Sequence, residues 1–500
     1  MGLKSYIVKR VASFAYANTL KMQKNAVKDQ SSIMHHLVRN ASQTKFGLDH
    51  HFRDIHNYES FKSAIPIKDY EGIKHYIELI KSGETNVLWK GKPKYFAKTS
   101  GTTSGIKYIP ITEDSLPNHL NSARTAMFNY FHLKGSAAVF DGNVIFLSGS
   151  PELEHIQGIP TGRLSGIVNH EIPSWIRKNQ LPSLSTNCIE DWEEKLEMII
   201  EETVKRDMRL ISGIPPWVQM YYEKILAKTG KSTVKQVFPN LSLFIYGGVN
   251  FEPYRYKLES LIGSRIDSIE TYPASEGFIA FQDDYRQDGL LLNTNSGIFF
   301  EFIPLEKVHD RNPDRIMLKD VEVGKDYAII IHNNAGLFGY DIGDCVRFIS
   351  INPYRLVVSG RVKHYISAFG EHVIGKEVDE AMTIAAKEFH IKLVEFTVAP
   401  QVNPVDGNLP YHEWFVEFDG SIENLSSFES RLDEIMRVQN IYYDDLIAGK
   451  ILKPLKVSVL KKDAFRDYMK SIGKLGGQNK VPRLSNDRKI ADHLQKYLEW

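Results

Sequence analysis

The sequence predicts an α/β protein with a large N-terminal domain of mixed and parallel sheets, residues 1–362, and a small α/β C-terminal domain, residues 363–500. The length supports two domains, because 500 residues exceed what one hydrophobic core usually organises. Apolar strand-like runs alternate with helix-like segments between residues 143 and 331, an order typical of parallel strand pairing. After residue 365 the pattern changes to short helices and strands. A boundary is therefore predicted at 361–365, which we expect to act as a hinge.

Composition disfavours several classes of protein. Sixty-two basic residues balance 61 acidic residues, so neither a nucleic-acid partner nor an anionic membrane surface is indicated. Cys188 and Cys345 lack a Cys-x-x-Cys spacing, which indicates a reducing compartment without a disulfide or zinc site. No run of about 18 apolar residues predicts a membrane span, and charges interrupt the N-terminal apolar residues. We expect a cytoplasmic protein, and the sequence does not indicate its oligomeric state.

The first 45 residues are predicted to be helical, since apolar residues recur on one stripe among basic residues. The stripe comprises Val8, Val11, Ala12 and Ala15. A basic amphipathic helix can bind membranes, but packing on its own domain is the commoner arrangement. The histidine pairs at 35–36 and 50–51 lack metal-ligand spacing, because adjacent helical residues point to different faces.

A hydroxyl-rich loop is the most informative stretch of the chain. Its sequence is Lys98-Thr99-Ser100-Gly101-Thr102-Thr103-Ser104-Gly105-Ile106-Lys107. Backbone N–H groups, hydroxyls and cations in one loop are the groups that bind phosphate. A flexible Ser/Thr/Gly linker is the alternative. A Walker P-loop is disfavoured, because that motif needs four residues between its glycines and lysine directly after the second.

The segments around this loop predict order. Residues 94–97 and 108–111 are predicted strands, and a helix is predicted to start at 112–114. Further along, strands are predicted at 143–147, 209–212, 241–246 and 327–331. A helix at 191–208 and another with Pro216 in its first turn separate the first three. Strand, helix and strand at this spacing favour a parallel sheet.

Two glycines follow the strand predicted at 241–246. The segment reads Gly247-Gly248-Val249-Asn250. Ligands bind at the carboxyl ends of strands in open α/β sheets, and glycine lets a flat base lie against the backbone. A plain strand-to-helix turn explains the glycines equally well.

Two further motifs carry polar groups suited to a nucleotide. In Glu270-Thr271-Tyr272-Pro273-Ala274-Ser275-Glu276-Gly277, Tyr272 can stack on a base, Ser275 can donate to phosphate and Glu276 can bind Mg²⁺. A serine-esterase elbow is disfavoured, because Pro273 stands where glycine is required. Asp344 follows a glycine turn, is predicted to open a strand, and can accept both ribose hydroxyls. A local backbone cap is the alternative for Asp344.

Four motifs in one order resemble those of the auxin-responsive promoter family of acyl-acid amido synthetases, which belongs to the adenylate-forming superfamily. The resemblance is to a bacterial-type member of this family. The motifs are Ser100–Lys107, Gly247–Asn250, Tyr272–Glu276 and Tyr340–Asp344, supported by Phe369–Val373 and Gln478–Arg483. One departure lies in the hydroxyl-rich loop, where Ile106 alone separates Gly105 from Lys107 and the usual alignment has two residues.

The resemblance implies an ATP-dependent ligase that activates a carboxylic acid as acyl-AMP and transfers the acyl group to an amino acid. It implies ATP as substrate, Mg²⁺ as cofactor, and small-molecule acids and amino acids as partners. The implied catalytic residues are Lys480, Glu276 and Lys107, and Glu276 is also the implied Mg²⁺ ligand. Lys480 is preferred over Lys474 as the catalytic lysine of the C-terminal domain. The implied nucleotide-binding residues are Ser100, Gly101, Thr102, Thr103, Gly105, Gly247, Gly248, Val249, Tyr272, Ala274, Ser275, Asp344 and Arg361.

Two alternatives remain open at this point. The acyl group can go instead to CoA or a carrier thiol, or the protein can be a non-catalytic adenylate-binding regulator. The C-terminal domain is expected to be a lid that reorients between the two half-reactions. Its predicted helices are 376–389 and 422–438, and its predicted strands are 394–398, 413–418 and 457–460. The identity of the acid is not readable from the sequence.

Overall fold

A computed structural model describes residues 3–100, 106–172, 177–189, 191–248, 251–308, 310, 312–361, 365–366, 373–402, 404, 409–449, 452–475, 480–485 and 487–499. The chain divides into two compact units. The larger comprises Met1–Val249 and Gly263–Val358, and the smaller comprises Asn250–Ile262 and Ser359–Trp500. The predicted α/β class is confirmed. The boundary after residue 362 stays a prediction, and the sequence did not anticipate that residues 250–262 group with the second unit.

Helices of the larger unit begin and end as follows: Leu3–Ala41, Lys45–Asp49, Tyr58–Ala64, Tyr70–Lys81, Leu116–Lys134, Leu164–His170, Leu184–Asn187, Trp192–Thr203, Pro215–Thr229 and Val234–Val237, with 3-10 turns at Phe52–Asp54, Ala138–Asp141, Leu305–Lys307 and Leu318–Asp320. The strands up to residue 361 are β1 Tyr95–Ser100, β2 Ile106–Ile111, β3 Asn143–Phe146, β4 Glu154–Ile156, β5 Ile159–Gly162, β6 Gln180–Leu181, β7 Met208–Ser212, β8 Leu243–Gly247, β9 Asp267–Ala274, β10 Gly277–Phe281, β11 Leu290–Leu292, β12 Ile298–Pro304, β13 Ile316–Met317, β14 Asp326–Asn333, β15 Tyr340–Ile351 and β16 Tyr354–Arg361.

A mixed twelve-stranded sheet dominates the described part of the larger unit, in the order β13-β12-β14-β15-β16-β11-β10-β9-β8-β7-β3-β6. Its β9-β8-β7-β3-β6 section is parallel, as the strand–helix–strand spacing predicted. A second sheet has the order β2-β1-β5-β4. The carboxyl ends of β3, β7, β8 and β9 therefore meet at one edge of the large sheet.

Two predicted helix boundaries are wrong. The helix expected over 191–208 ends at Thr203, because Met208 already begins the buried strand β7. The helix expected to start at 112–114 starts at Leu116. Before it, the Thr112 N–H donates to Ser115 Oγ at 2.9 Å and the Ser115 N–H donates to Thr112 Oγ1 at 3.0 Å, which closes a turn.

The first helix packs on its own unit, as predicted. Val8 and Ala12 are buried, although Val11 from the same predicted stripe is 44% exposed. Gln30 fixes the helix against β12: its Nε2 donates to the Ile298 carbonyl at 2.8 Å, and its Oε1 accepts from the Phe300 N–H at 2.8 Å. Within the described residues, no helix is long and apolar enough to span a membrane.

The smaller unit contains the helices and strands predicted after residue 375, with small shifts at their ends. Its helices are Glu252–Ile262, Gly375–Glu388, Leu425–Gln439, Ile441–Ala448, Ala464–Ser471 and Lys489–Leu494, with a 3-10 turn at Gln495–Tyr497. Its strands are β17 Tyr365–Ile366, β18 Val373–Ile374, β19 Leu393–Gln401, β20 Tyr411–Phe418 and β21 Lys456–Leu460. β20 pairs antiparallel with β19 and parallel with β21.

A buried carboxyl in this unit predicts a pH-dependent stability. Glu417 on β20 is 3% exposed and accepts hydrogen bonds from the N–H groups of Asp463, at 2.7 Å, and Phe465, at 3.1 Å. Burial raises the pKa of Glu417 from 4.5 to about 7. The folded protein thus binds the proton more tightly than the unfolded chain, so the free energy of unfolding should fall as pH rises between these two values.

We expect Glu417→Gln to remove most of this fall, which amounts to at most about 3 kcal/mol. The measurement is the melting temperature of the smaller unit across that pH range. Glu423→Gln, which changes an exposed carboxylate in the same unit, is the matched control. Equal pH slopes for wild type and Glu417→Gln would contradict this assignment.

Candidate functional site

The carboxyl end of β8 requires glycine for a structural reason. A Cβ on Gly247 would lie 2.3 Å from the carbonyl oxygen of Thr271 on the neighbouring β9, and Gly248 has φ of +79°. Thr271 Oγ1 donates to the Tyr246 carbonyl at 2.9 Å and ties the two strand ends together. Gly247 therefore serves the close approach of β8 and β9, and Gly248 serves the left-handed backbone conformation that follows the strand. Val249, the third predicted nucleotide residue here, lies outside the described residues.

The predicted Tyr272–Glu276 motif forms the tip of the β9–β10 hairpin. Tyr272 and Ala274 lie in β9, and Ser275 and Glu276 form the two-residue turn before β10. Asn333, the last residue of β14, donates from Nδ2 to the Glu276 carbonyl at 2.7 Å. A residue distant in sequence thus fixes the backbone of the turn that carries the predicted magnesium ligand.

Tyr272 and Asp344, 72 positions apart in sequence, meet in the folded chain. The Tyr272 hydroxyl donates to Asp344 Oδ2 at 2.6 Å. The prediction that Asp344 opens a strand is wrong, because β15 begins at Tyr340 and runs through this position. Asp344 instead lies at an irregularity in the β14–β15 pairing, where Gly343 has φ of +80° and its N–H donates to Asp341 Oδ1 at 2.7 Å.

The hydroxyl-rich loop connects two paired strands. β1 and β2 are antiparallel, and Ser100 pairs with Ile106 across the pair. Gly101, Thr102, Thr103 and Gly105 lie outside the described residues, as does the side chain of Ser100. Lys107 Nζ lies 5.7 Å from the centroid of the Tyr70 ring.

A buried ion-pair network supports the segment that leads to Asp344. The Glu301 carboxylate accepts hydrogen bonds from His332 Nε2 at 2.7 Å and from the Tyr58 hydroxyl at 2.9 Å, and it forms an ion pair with Arg315, whose Nη1 lies 3.0 Å away. On its other side, His332 Nδ1 accepts from the Gly339 N–H at 3.1 Å. The network therefore holds the backbone just before β15.

The protonation states of this network follow from its contacts. His332 is neutral with its proton on Nε2, since Nδ1 accepts a backbone hydrogen bond, and burial lowers its pKa. Burial alone would raise the pKa of Glu301, but His332, Arg315 and Tyr58 together hold it below its ordinary value. Glu301 is thus an ionised carboxylate in the core, and Arg315 supplies its countercharge.

In the smaller unit, the segment that follows Lys480 is held against β19. Thr397 Oγ1 donates to the Pro482 carbonyl at 2.6 Å, and the Val398 N–H donates to the Arg483 carbonyl at 2.8 Å. The Arg483 side chain forms an ion pair with Asp379 at 2.9 Å and another with Glu395. Lys480 itself is exposed at the start of this anchored segment.

Arg361 is the last residue of β16, and its side chain is outside the described residues. Sequence reasoning missed the residues that support the site, namely Asn333, His332, Glu301, Arg315 and Arg483 in its anchoring role. A signal existed for two of them, because the polar pair His332-Asn333 directly follows the apolar run predicted as a strand. No sequence signal marked Glu301 or Arg315, because the pairing of β12 with β14 that places Glu301 beside His332 arises only in the folded chain.

Solved structures with a similar fold include an amido synthetase and a CoA ligase. An acyl acid amido synthetase, AtGH3.15 in complex with 2,4-DB, superposes with a TM-score of 0.82 at 16% identity, covering 98% of this chain and 96% of that one. A 2-hydroxyisobutyryl-CoA ligase in the postadenylation state superposes with a TM-score of 0.57 at 11% identity, covering 95% of this chain and 93% of that one. The fold is therefore that of the adenylate-forming ligases.

The family follows from the sequence models. The N-terminal domain model of the GH3 family matches residues 15–183 and 160–266, its central domain model matches 291–361, and its C-terminal domain model matches 376–489. The chain belongs to the GH3 family, and the family predicted from the four motifs is confirmed.

Curated relatives resemble the chain over most of its length. The jasmonoyl–L-amino acid synthetase GH3.5 of Oryza sativa subsp. japonica is 25% identical over 511 residues, covering 86% of this chain and 87% of the relative. The indole-3-acetic acid-amido synthetase GH3.15 of Arabidopsis thaliana is 22% identical over 547 residues, covering 92% and 90%.

Proposed function

We propose that this chain is an ATP-dependent acid–amino acid ligase that forms acyl-AMP with release of pyrophosphate and transfers the acyl group to an amine. The observation that carries the proposal is the 2.6 Å hydrogen bond from Tyr272 to Asp344 beside the strand ends that carry Gly247 and Gly248. The relatives support it, because they are named as synthetases that join acids to amino acids.

In this proposal the adenosine lies at the carboxyl ends of β8 and β9. Adenine packs against the glycine backbone and Tyr272, flanked by Val249, Ala274 and Ser275. Asp344 accepts from the ribose hydroxyls, since one of its oxygens is held by Tyr272 and carboxylates have further acceptor capacity. Arg361 is assigned to the same nucleotide site on the resemblance alone.

The phosphates are assigned to the hydroxyl-rich loop. Ser100, Gly101, Thr102, Thr103 and Gly105 supply N–H and hydroxyl donors, and Lys107 supplies a cation. Attack of the substrate carboxylate on the α-phosphorus gathers negative charge, and Lys480 is assigned to stabilise it. The bond to pyrophosphate breaks as the acyl–phosphate bond forms, and the amine of the acceptor later displaces AMP.

Glu276 fits the role of a magnesium ligand. It presents a hard carboxylate oxygen at a turn whose backbone Asn333 holds at 2.7 Å. The pKa of Tyr340 is raised, first by burial and second by the negative charge of Glu276. The Glu276 carboxylate therefore acts on the start of β15. Mg²⁺ commonly takes one or two carboxylates and completes its shell with substrate phosphates and water. Bound Mg²⁺ would neutralise phosphate charge.

The proposed acceptor is an amino acid and the proposed location is the cytoplasm. The two cysteines are free thiols in the described structure, as expected in a reducing compartment. Thioester formation with CoA and adenylate binding without catalysis remain the competing outcomes of the test.

The test is pyrophosphate release from ATP and Mg²⁺ across a panel of carboxylic acids, followed by amide analysis with mixed amino acids. We expect release to depend on one class of acid, and Glu276→Gln to lower it by about 10²-fold or more, because the metal-binding charge is lost. Glu322→Gln, an exposed carboxylate paired with Lys325, is the matched control. Binding of ATP without pyrophosphate release for any acid would favour the regulator.

A further inference from the structure

Two cations lie together at the carboxyl end of β3 in the larger unit. Lys195, from the helix Trp192–Thr203, is 3% exposed, and its Nζ donates to the carbonyls of Ser148, at 3.0 Å, and Asn187, at 2.7 Å. Arg163, which precedes the helix Leu164–His170, is half-buried. Burial lowers the pKa of Lys195 to about 8, and the charge of Arg163 also acts to lower it, so the two cations are close enough to repel.

Neither cation has an acidic partner in the part of the chain that the structure describes. Lys195 binds only carbonyl oxygens there, and Arg163 has no ion pair or hydrogen bond. The charge of Glu152, an exposed residue, acts on the Cys188 thiol but forms no ion pair with either cation. Two neighbouring positive charges, partly removed from water and without a counterion, cost free energy that a bound anion would offset.

The position of Arg163 is set by two sheets. Gly162 ends β5 and pairs with Ala97 of β1, so Arg163 directly follows the smaller sheet. A Cβ on Gly149, beyond the carboxyl end of β3, would lie 2.8 Å from Arg163 Cδ and 3.7 Å from its Nη1. The arginine side chain therefore lies over the backbone of Gly149, at the ligand-binding edge of the large sheet.

The carboxyl end of β3, where Arg163 lies, is close to the proposed nucleotide site along the sheet. β7 alone separates β3 from β8, whose end carries Gly247. Two strand spacings amount to about 10 Å. A substrate that reacts at the nucleotide can therefore extend to Arg163. Two residues after Arg163 there is a further donor, since the Ser165 hydroxyl is buried and has no hydrogen-bond partner among the described residues.

We propose that Arg163, with Lys195 behind it, binds a carboxylate group of a substrate at the carboxyl end of β3. This inference rests on the proposed function for the identity of the substrate. Guanidinium binds carboxylate through two parallel hydrogen bonds, so the ligand class is a carboxylate anion. Its source is either a second carboxylate of the acid that is activated, because the reacting carboxylate must reach the α-phosphorus, or the free α-carboxylate of the amino-acid acceptor.

The test compares Arg163→Gln and Arg163→Lys with wild type in acid-dependent ATP–pyrophosphate exchange and in amide formation. We expect Arg163→Gln to raise KM for one substrate by about tenfold or more, with kcat and the KM for ATP nearly unchanged, and Arg163→Lys to restore part of the loss. A raised KM for the acid in exchange identifies the acid as the source. A raised KM for the amino acid in amide formation identifies the acceptor.

Two controls keep the inference separate from the proposed function. Arg286→Gln changes an exposed arginine that is paired with Asp284 in the same unit, and it should alter neither the KM for the acid nor the KM for the amino acid.

If wild type forms no amide, calorimetric titration with benzoate or alanine replaces the kinetics. Binding of either probe that Arg163→Gln abolishes would support the carboxylate site while the ligase proposal fails. Unchanged KM values, or no binding of either probe to wild type, would overturn it.

Discussion

Lys480→Ala is expected to lower the rate of acid-dependent ATP–pyrophosphate exchange by about 10²- to 10³-fold, the usual effect of removing one group that stabilises transition-state charge. The segment after Lys480 is anchored to β19 by two hydrogen bonds, from the Thr397 hydroxyl to the Pro482 carbonyl and from the Val398 N–H to the Arg483 carbonyl. This anchoring limits the positions that the lysine can reach and favours it as the delivered cation. ATP binding should persist, because the proposed adenosine contacts lie elsewhere.

Lys474→Ala is the matched control, since it removes the same charge from the same C-terminal region. The Lys474 N–H donates to the Met469 carbonyl at 2.8 Å, at the end of the helix Ala464–Ser471, so this lysine belongs to a helix terminus. We expect its exchange rate to stay within about threefold of wild type, as for an exposed charge outside the site. Loss of exchange in Lys474→Ala with retention in Lys480→Ala would reverse the assignment.

Arg315→Met is expected to destabilise the larger unit by about 3–5 kcal/mol, because it leaves the Glu301 carboxylate buried without its countercharge. Glu301 is 0% exposed and Arg315 is 4% exposed, so water cannot replace the lost partner. Differential scanning calorimetry should report a melting temperature lower by roughly 5 °C for a unit of this size. The KM for ATP should rise as well, since His332 in the same network holds Gly339 ahead of Asp344.

The double variant Arg315→Met/Glu301→Met provides the control. Replacing both members of a buried ion pair by apolar side chains leaves no unpaired charge, so it should be less destabilising than Arg315→Met alone. His332 and Tyr58 would lose their acceptor in this variant, and full recovery is therefore not expected. If the double variant melts below the single variant, charge pairing is not what Arg315 contributes.

Local sequence signals predicted the elements of this fold well where each element creates its own pattern. The parallel strands β7 and β8 and the helix between them follow from apolar runs, a proline in the first helical turn and connection length. Helix ends were predicted less well. Met208 has the apolar character that continues the preceding helix, and only its burial in the sheet decides that it is a strand residue.

The sequence by itself determined the class of the protein, since four short motifs in one order identified an adenylate-forming family that the domain models confirm. Tertiary structure decided which of the motif residues meet. The Tyr272 hydroxyl donates a hydrogen bond to Asp344, and the carbonyl of Thr271 leaves no room for a side chain at Gly247. Strand pairing creates both contacts, because it brings together positions that are far apart in the sequence. The supporting charges of Glu301, Arg315 and Arg163 were invisible for the same reason, as a single sequence records residue types and spacing, whereas burial and the presence or absence of a countercharge arise only from packing.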